Sequence, residues 1–158
     1  MDKGAHNICC FAGHGNLLDS GIIKKICSIS EDLIINHNVK EFWVGNYGNF
    51  DRCAAFAIRE LQKKYTDIEL NLVIPYITKS INEHKALYCR NYNNIIIADI
   101  PKNTPNRFHI AKTNEFIVNN SDYLICYIEW SWGGAVKTYK YAKRKHLQII
   151  NIAEKPKK

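Results

Sequence analysis

Short apolar runs alternate with longer amphipathic segments along the whole chain. The apolar runs predict strands over residues 7–12, 41–44, 69–74, 94–98, 123–128 and 148–152. Between them, apolar residues recur at helical spacing and predict helices over residues 20–38, 49–65, 107–119 and 136–145. Residues 78–92 carry only a weak pattern.

The predicted strands are apolar at consecutive positions, so both faces of each strand need a cover. Strands of this kind that alternate with helices are typical of an α/β protein. We therefore expect a Rossmann-like three-layer sandwich with a mostly parallel sheet. An α+β fold with an antiparallel sheet is the alternative. In the first class, ligands bind beyond the carboxyl ends of the strands.

The length of 158 residues favours a single domain, which we place at residues 1–153, followed by a basic tail at residues 154–158. A hydrophobic fraction of 46% and a charged fraction of 23% are ordinary for a globular protein. No apolar run is long enough to cross a membrane, and the first residues lack the build of a signal peptide. We expect a cytoplasmic protein without a membrane partner.

The 6 cysteines lie mostly inside apolar strand or helix patterns, and no Cys-x-x-Cys pair occurs. Buried, reduced thiols are therefore the expected state. The 6 histidines lack the spacing of metal ligands. We predict neither a metal site nor a cofactor.

The net charge of +7 is concentrated in residues 137–146 and in the tail. One interpretation is a solvated helix face and a frayed terminus. Another is binding to nucleic acid. A third is that the positive potential attracts a phosphorylated small molecule.

Glycine-bearing turns follow three of the predicted strands, at residues 13–16, 45–51 and 132–134. A single glycine in such a turn often serves only to permit a positive φ. However, the carboxyl ends of parallel strands meet at one edge of a sheet, so the three turns converge there. The last turn directly precedes a predicted helix, which places bare backbone N–H groups where an anion binds. This convergence favours a nucleotide-type ligand.

The residues at these turns suit the recognition of such a ligand. The candidate ligand-binding residues are Gly13, His14, Gly15, Gly45, Asn46, Tyr47, Gly48, Asn49, Asp51, Tyr76, Arg107, Asn114, Trp132, Gly133, Gly134 and Ala135.

Several of the polar candidates also have an ordinary structural alternative. Asn46, Asn49 and Asn114 present both donors and acceptors, and Asn49 can also cap the second helix. Asp51 either complements the dipole of the second helix or accepts a hydrogen bond from a ribose hydroxyl. His14 either donates to a phosphate or a base, or lies in a solvent-facing turn.

The aromatic and cationic candidates lie at the same edge. Tyr47, Tyr76, Trp130 and Trp132 could stack on a base, and core packing is the alternative. Arg107, just before the third helix, could pair with a phosphate.

Catalytic groups are harder to find. Glu115 and Asp51 are weak candidates, and Glu115 could instead pair with Lys112 or face solvent. The chain has no Walker A motif and no full Gly-x-Gly-x-x-Gly motif, and no local sequence suggests a Ser-His-Asp arrangement. We expect binding without catalysis.

Several short motifs occur in order over nearly the whole chain. Residues 9–14 are Cys-Cys-Phe-Ala-Gly-His, residues 42–46 are Phe-Trp-Val-Gly-Asn, and residues 49–51 are Asn-Phe-Asp. Later motifs are Arg-Phe at 107–108, Asn-Glu at 114–115, Ser-Asp-Tyr at 121–123 and Trp-Gly-Gly-Ala at 132–135. This series resembles YpsA-like proteins of the SLOG superfamily, whose name comes from the DprA (Smf) DNA-processing proteins and the cytokinin-activating LOG enzymes.

The resemblance implies a Rossmann-like fold that binds nucleotides or nucleotide-derived ligands. SLOG domains act as sensors in signalling and defence, as DNA-binding modules and as LOG-type phosphoribohydrolases, and they often form homo-oligomers (dimers or larger). LOG enzymes carry Pro-Gly-Gly-x-Gly-Thr and a glutamate in the following helix. Here residues 132–138 are Trp-Gly-Gly-Ala-Val-Lys-Thr, and residues 136–145 contain no carboxylate. Gly15 and Thr113 stand where the family usually has arginine, which suggests an altered or larger ligand, or weakened phosphate contacts.

Three functions follow from these observations. The first is a non-catalytic protein that senses or sequesters a nucleotide-derived small molecule, such as an ADP-ribose-like or cyclic nucleotide signal. The second is a LOG-like hydrolase or glycosidase that acts through Glu115 or Asp51. The third is a DprA-like DNA-binding module.

Overall fold

The apolar runs form one six-stranded sheet in the computed structural model, which describes residues 6–14, 20–77, 79–129 and 131–153. The strands are β1 (Asn7–Gly13), β2 (Val39–Val44), β3 (Glu69–Ile74), β4 (Asn94–Ile97), β5 (Tyr123–Tyr127) and β6 (Gln148–Asn151). Their order is β4-β3-β2-β1-β5-β6, and every neighbouring pair is parallel. The predicted Rossmann-like α/β architecture is confirmed.

The helices connect these strands. They are α1 (Ser20–Asn36), α2 (Asn49–Gln62), α3 (Lys79–Glu83), α4 (Lys85–Asn91), α5 (His109–Asn119) and α6 (Gly134–Arg144). A 3₁₀ turn at Asn106–Phe108 leads into α5. The weakly patterned segment forms α3 and α4, which bury Ile81 and no other residue between them. Because these short helices bury so little, their sequence carries little apolar periodicity.

Alternate residues of the central strand β1 face two separate apolar clusters. Cys9 and Phe11 pack in the cluster that contains the buried residues of α1 and α2. Cys10 and Ala12 pack in the other cluster, together with buried residues of α5 and α6. The sheet is thus covered by helices on both faces, which explains why its strands are apolar at consecutive positions.

The strand order reverses between β1 and β5. The chain leaves β1 towards β2 on one side, and it leaves β5 towards β6 on the other side. A crevice opens outside the carboxyl ends of the strands at such a switch point. The first and third glycine-bearing turns follow these two strands.

Three helix starts differ from the expectation, and α5 begins at His109, two residues after the predicted start at residue 107. Asn49 was expected to cap α2, but Gly48 is the N-cap and Asn49 is the first helical residue. The last helix begins at Gly134, two residues before the predicted start, with Gly133 as its N-cap. The glycine pair is therefore part of the helix start.

The described cysteines are all free, and Cys9, Cys10, Cys53 and Cys126 are buried, whereas Cys89 is exposed. Within the described ranges, no three His, Cys, Asp or Glu side chains group in a way that could hold a metal ion. The described helices include none that is both long and apolar enough to span a membrane.

Candidate ligand-binding site

Gly13 ends β1 where the first turn of α2 packs against it. A Cβ atom at Gly13 would lie 2.3 Å from Cγ of Phe50, whose side chain is fully buried. Only glycine lets the ring lie directly on the strand. This contact fixes the N-terminus of α2 beside the end of β1.

His14 joins the ends of the two central strands. Its side chain is buried, and its Nε2 accepts a 3.0 Å hydrogen bond from the backbone N–H of Glu129. Burial lowers the pKa of His14, which favours the neutral ring that this acceptor role requires. The alternative of a solvent-facing histidine is therefore wrong, and His14 positions the segment after β5.

Asn151 holds the same segment from the side of β6. Its Oδ1 accepts a 3.0 Å hydrogen bond from the backbone N–H of Ile128, and its Nδ2 donates a 3.0 Å bond to the carbonyl of Ile128. The approach to the α6 N-terminus is thus held by β1 and by β6.

Among the described residues, the N-terminus of α6 is open. Gly133 has a φ of 108°, a left-handed conformation that favours glycine. A Cβ atom at Gly133 or Gly134 would meet no other described atom within 4 Å. In the described part of the chain, no side chain caps this helix, and its first turn has no acidic residue. The first N–H groups of a helix lack intrahelical acceptors, so they remain available to an anion here.

The N-terminus of α2 already has its own carboxylate. Asp51 lies in the first turn, and its Oδ2 accepts a 3.2 Å hydrogen bond from the backbone N–H of Tyr47. Burial raises the pKa of Asp51 from 3.8 to about 6, and the bond from Tyr47 opposes this rise. Gly45 lies behind this group, since a Cβ atom there would be 3.2 Å from Oδ2.

Both helix starts line one cavity of about 190 Å³, the central cavity. Its walls are Phe11, Ala12, Gly13, Tyr47, Gly48, Phe50, Asp51, Ile110, Asn114, Gly134, Ala135 and Thr138. It lies at the β1–β5 switch point, where a Rossmann-like fold binds its ligand.

A second cavity, of about 340 Å³, adjoins the central cavity through Tyr47 and Ile110. This β3-side cavity is lined by Asn46, Tyr47, Ile74, Pro75, Tyr76, Ser80, Ile81, Tyr88, Asn106, His109 and Ile110. The ring of Tyr76 meets that of His109 edge-on, with centroids 5.4 Å apart. Aromatic walls with two amides are suited to a planar group that also forms hydrogen bonds.

A third cavity, of about 430 Å³, runs between α5 and α6 and is called the α5–α6 groove. It shares Ile110, Asn114, Gly134 and Thr138 with the central cavity. Its charged walls are Arg107, Glu115, Lys137, Lys140 and Arg144. Shared lining residues thus join the three cavities in one path.

The structure brings together most of the candidate residues. Those that line the three cavities are Gly13, Asn46, Tyr47, Gly48, Asp51, Tyr76, Arg107, Asn114, Gly134 and Ala135.

The remaining candidates have other positions. Gly45 and His14 lie behind the cavity walls, and Asn49 is half-buried at the start of α2. Trp132 is 69% exposed, so it does not pack in the core. Gly15 and Trp130 lie outside the described residues.

Glu115 does not stand out as a catalytic group. Its Oε1 lies 3.4 Å from Nζ of Lys112, in an (i, i+3) pair on the partly exposed side of α5. This is the ion pair that the sequence offered as the alternative to a catalytic role.

Several lining residues were missed by sequence reasoning. Ile110 borders all three cavities, and Lys137, Lys140 and Arg144 line the α5–α6 groove. The spacing of the three cations, at i, i+3 and i+7, places them on one helix face, and that signal was present in the sequence.

The fold is similar to that in the X-ray structure of DNA processing protein A (DprA) from Streptococcus pneumoniae, with a TM-score of 0.64. The sequences are 16% identical, and the match covers 91% of this chain and 49% of that chain. This chain therefore spans about half the length of the DprA chain.

The fold is also similar to the structure of the Moco carrier protein of Chlamydomonas rheinhardtii, with a TM-score of 0.55 and 12% identity. That match covers 95% of this chain and 77% of the other. No family model matches the chain, and neither does any curated protein sequence. At such low identities, the similarity shows the α/β fold.

Proposed function

We propose that the protein binds a nucleotide-derived small molecule in the central cavity and holds it without cleaving it. The observation that carries this proposal is the open N-terminus of α6 at the switch point of a parallel sheet. A helix start that no described side chain caps, a positive-φ glycine and the absence of any described atom within 4 Å of a Cβ atom at either glycine together suit a phosphate group.

The phosphate would accept hydrogen bonds from the backbone N–H groups of Gly134 and Ala135. These donors and the helix dipole favour a negative charge by about 0.3–1 kcal/mol at an exposed site. The N-terminus of α2 is a poorer phosphate site because Asp51 would repel an anion when it is ionised.

The β3-side cavity would hold the base. Tyr47 and Tyr76 are 39% and 50% exposed, which leaves ring surface for stacking, and Asn46 offers an amide for the edge of a base. Asp51 lies between this cavity and α6, where a carboxylate can accept a hydrogen bond from a ribose hydroxyl.

The sequence resemblance supports the same function. The YpsA-like motifs coincide with the turns after β1 and β2 and with the start of α6, and SLOG domains bind nucleotide-derived ligands. The helix after Gly134 lacks a carboxylate, unlike that of LOG enzymes. Binding is therefore favoured over hydrolysis.

A thermal-shift screen tests the proposal with ribonucleoside mono-, di- and triphosphates, cyclic nucleotides and ADP-ribose. A ligand at a hundredfold its Kd stabilises the native state by about 2.7 kcal/mol, which corresponds to a shift of about 5–10 °C for this chain length. A screen in which no compound shifts the melting temperature contradicts the proposal.

A matched pair of variants tests the position of the phosphate. Ala135→Asp adds a carboxylate to the first turn of α6, where the helix dipole tolerates it, but the added charge repels a bound phosphate. Ala135→Asn is nearly isosteric and neutral. We expect the Asp variant to remain folded and to lose at least about tenfold in affinity, and the Asn variant to bind more nearly like wild type. Equal affinities would place the phosphate elsewhere.

Cleavage of an N-glycosidic bond is a second candidate function, and one observation favours it. Asp51 lines the central cavity with a pKa of about 6, in the range of a general acid at neutral pH. Chromatography of each binding compound after long incubation would detect cleavage. Turnover that is abolished in Asp51→Asn while binding persists would establish the enzyme, and unchanged ligands would exclude it.

A further inference from the structure

We propose that the α5–α6 groove is a second anion subsite, and that the ligand therefore carries at least two linked phosphates. The inference rests on the proposed function, since it assigns the first phosphate to the N-terminus of α6. It adds a separate place for the remaining phosphates, lined by Arg107, Lys137, Lys140 and Arg144.

The charges of the groove are strongly unbalanced. Its lining has four cationic side chains and one carboxylate, that of Glu115. This carboxylate already pairs with Lys112. In the part of the chain that the structure describes, none of the four cations lies within ion-pair distance of a carboxylate.

The guanidinium groups of two of these cations lie over aromatic rings. The guanidinium carbon of Arg107 lies 4.7 Å from the ring centroid of Phe108, and that of Arg144 lies 5.4 Å from the centroid of Tyr141. Tyr141 is itself held by α5, because its hydroxyl donates a 3.0 Å hydrogen bond to Oδ1 of Asn119. A guanidinium that stacks on a ring keeps its N–H groups available at its edge, where they match phosphate oxygens.

The groove is continuous with the place proposed for the first phosphate. Gly134, Thr138 and Asn114 line both the groove and the central cavity. Lys137 follows the open first turn of α6, and Lys140 and Arg144 lie one and two turns further along. A phosphate chain that starts at Gly134 therefore enters the groove beside Lys137, the first of these cations along α6.

This arrangement discriminates among nucleotide-derived ligands. A cyclic mononucleotide has a single phosphate and leaves the groove empty. A nucleoside diphosphate or triphosphate, or a diphosphate-linked compound, occupies both subsites. The expected ligand class is a nucleoside with a linear chain of two or more phosphates.

The test compares inorganic triphosphate with orthophosphate as probes, by titration calorimetry at low salt. The variant Lys140→Gln/Arg144→Gln removes two charges at exposed positions of α6. The control variant Lys24→Gln/Lys25→Gln removes two exposed charges from α1, on the opposite face of the sheet. All three proteins are then titrated with the mono- and triphosphates of the common ribonucleosides.

We expect triphosphate to bind the wild type and the α1 variant about tenfold more tightly than orthophosphate, and the α6 variant to lose most of this difference. For any nucleoside that binds, the same difference should separate its triphosphate from its monophosphate. Two results would overturn the second subsite. One is that the wild type binds triphosphate and orthophosphate with equal affinity. The other is that the α6 variant still binds triphosphate as much more tightly than orthophosphate as the wild type does.

Two further outcomes separate this inference from the proposed function. If inorganic triphosphate binds through the groove but no nucleotide binds, the subsite stands and the proposed function fails. If nucleoside monophosphates bind and longer phosphate chains add nothing, the proposed function stands and the second subsite fails. A third outcome would contradict the inference: single-stranded DNA binds the protein, longer strands bind more tightly, and inorganic triphosphate does not displace them. The groove would then bind nucleic acid.

Discussion

The starts of α2 and α6 arise from the same pattern of strand, glycine turn and helix, and they face the same cavity. At α2, Phe50 packs against Gly13, and Asp51 occupies the helix start with its own carboxylate. At α6, no described atom would lie within 4 Å of a Cβ atom on either glycine, and the first turn has no acidic residue. The α2 start is closed by the chain itself, whereas no described side chain closes the α6 start.

The difference shows why a glycine turn at a strand end is ambiguous in sequence. After β1, Gly13 makes room for the buried ring of Phe50, whereas no described atom lies within 4 Å of a Cβ atom at Gly133 or Gly134. The two helix starts themselves differ in the side chains of their first turns. An aromatic residue and an acid close the α2 turn, whereas a small residue follows the glycines of α6. The following predictions test this distinction.

The largest expected difference lies between alanine substitutions of the two glycines. Gly13→Ala places a Cβ atom 2.3 Å from the buried ring of Phe50. Such overpacking should lower the free energy of unfolding by about 1–3 kcal/mol. Gly134→Ala meets no atom of the described residues within 4 Å and should leave stability unchanged or raise it by about 0.4–1 kcal/mol. Urea unfolding measures both, and equal effects would remove the contrast between the turns.

A smaller effect is expected from Asp51→Asn. The pKa of Asp51 rises from 3.8 to about 6 on folding, so the native state binds more protons than the unfolded state between these values. The wild type should therefore lose stability as the pH rises from about 4 to about 6, by about 1–2 kcal/mol relative to the variant.

The neutral variant should thus be the more stable protein at pH 7 and should match the wild type near pH 3. Urea unfolding across this range gives the comparison, with the exposed Asp99→Asn as the control for a lost charge. A wild type that gains stability over the same interval would show that Asp51 is not disfavoured as an anion in the closed turn.

The smallest effect is expected from Glu115→Gln. The Lys112–Glu115 pair is partly exposed, so its loss should change the free energy of unfolding by less than about 0.5 kcal/mol. Removal of the one carboxylate in the α5–α6 groove should raise triphosphate affinity about twofold. A loss of affinity would mean that Glu115 contacts the ligand instead of opposing it.

The fold was predictable because buried parallel strands and amphipathic helices leave strong periodic signals. The path of cavities was predictable only in part. Tyr47, Gly48 and Asp51 were expected from the turn after β2, since a strand end fixes their place. The facing of α5 and α6 depends on which helices become neighbours in the folded chain. The spacing of the cations on α6 was visible in the sequence, but the groove that they line was not.

The sequence also did not reveal how deeply individual side chains at the site are buried. His14 was expected to face a ligand or the solvent, but its ring lies between the ends of β1 and β5. The pKa of Asp51 depends on the surrounding chain, and residue type alone could not reveal it. In both cases the sequence placed the side chain in a turn at a strand end, but residues from distant parts of the sequence set its environment.

The place of β1 in the sheet also has a consequence for synthesis of the chain. β1 pairs with β2 on one side, but its other side is covered only by β5, where Cys9 pairs with Tyr123. The strands β1 to β4 are neighbours in chain order, so they can assemble while the chain is still growing. Until β5 emerges, β1 is an exposed edge that can pair with another chain. The crevice between β1 and β5 therefore forms only after β5 has joined the sheet. A ligand that requires this crevice would bind only chains that have folded to this stage.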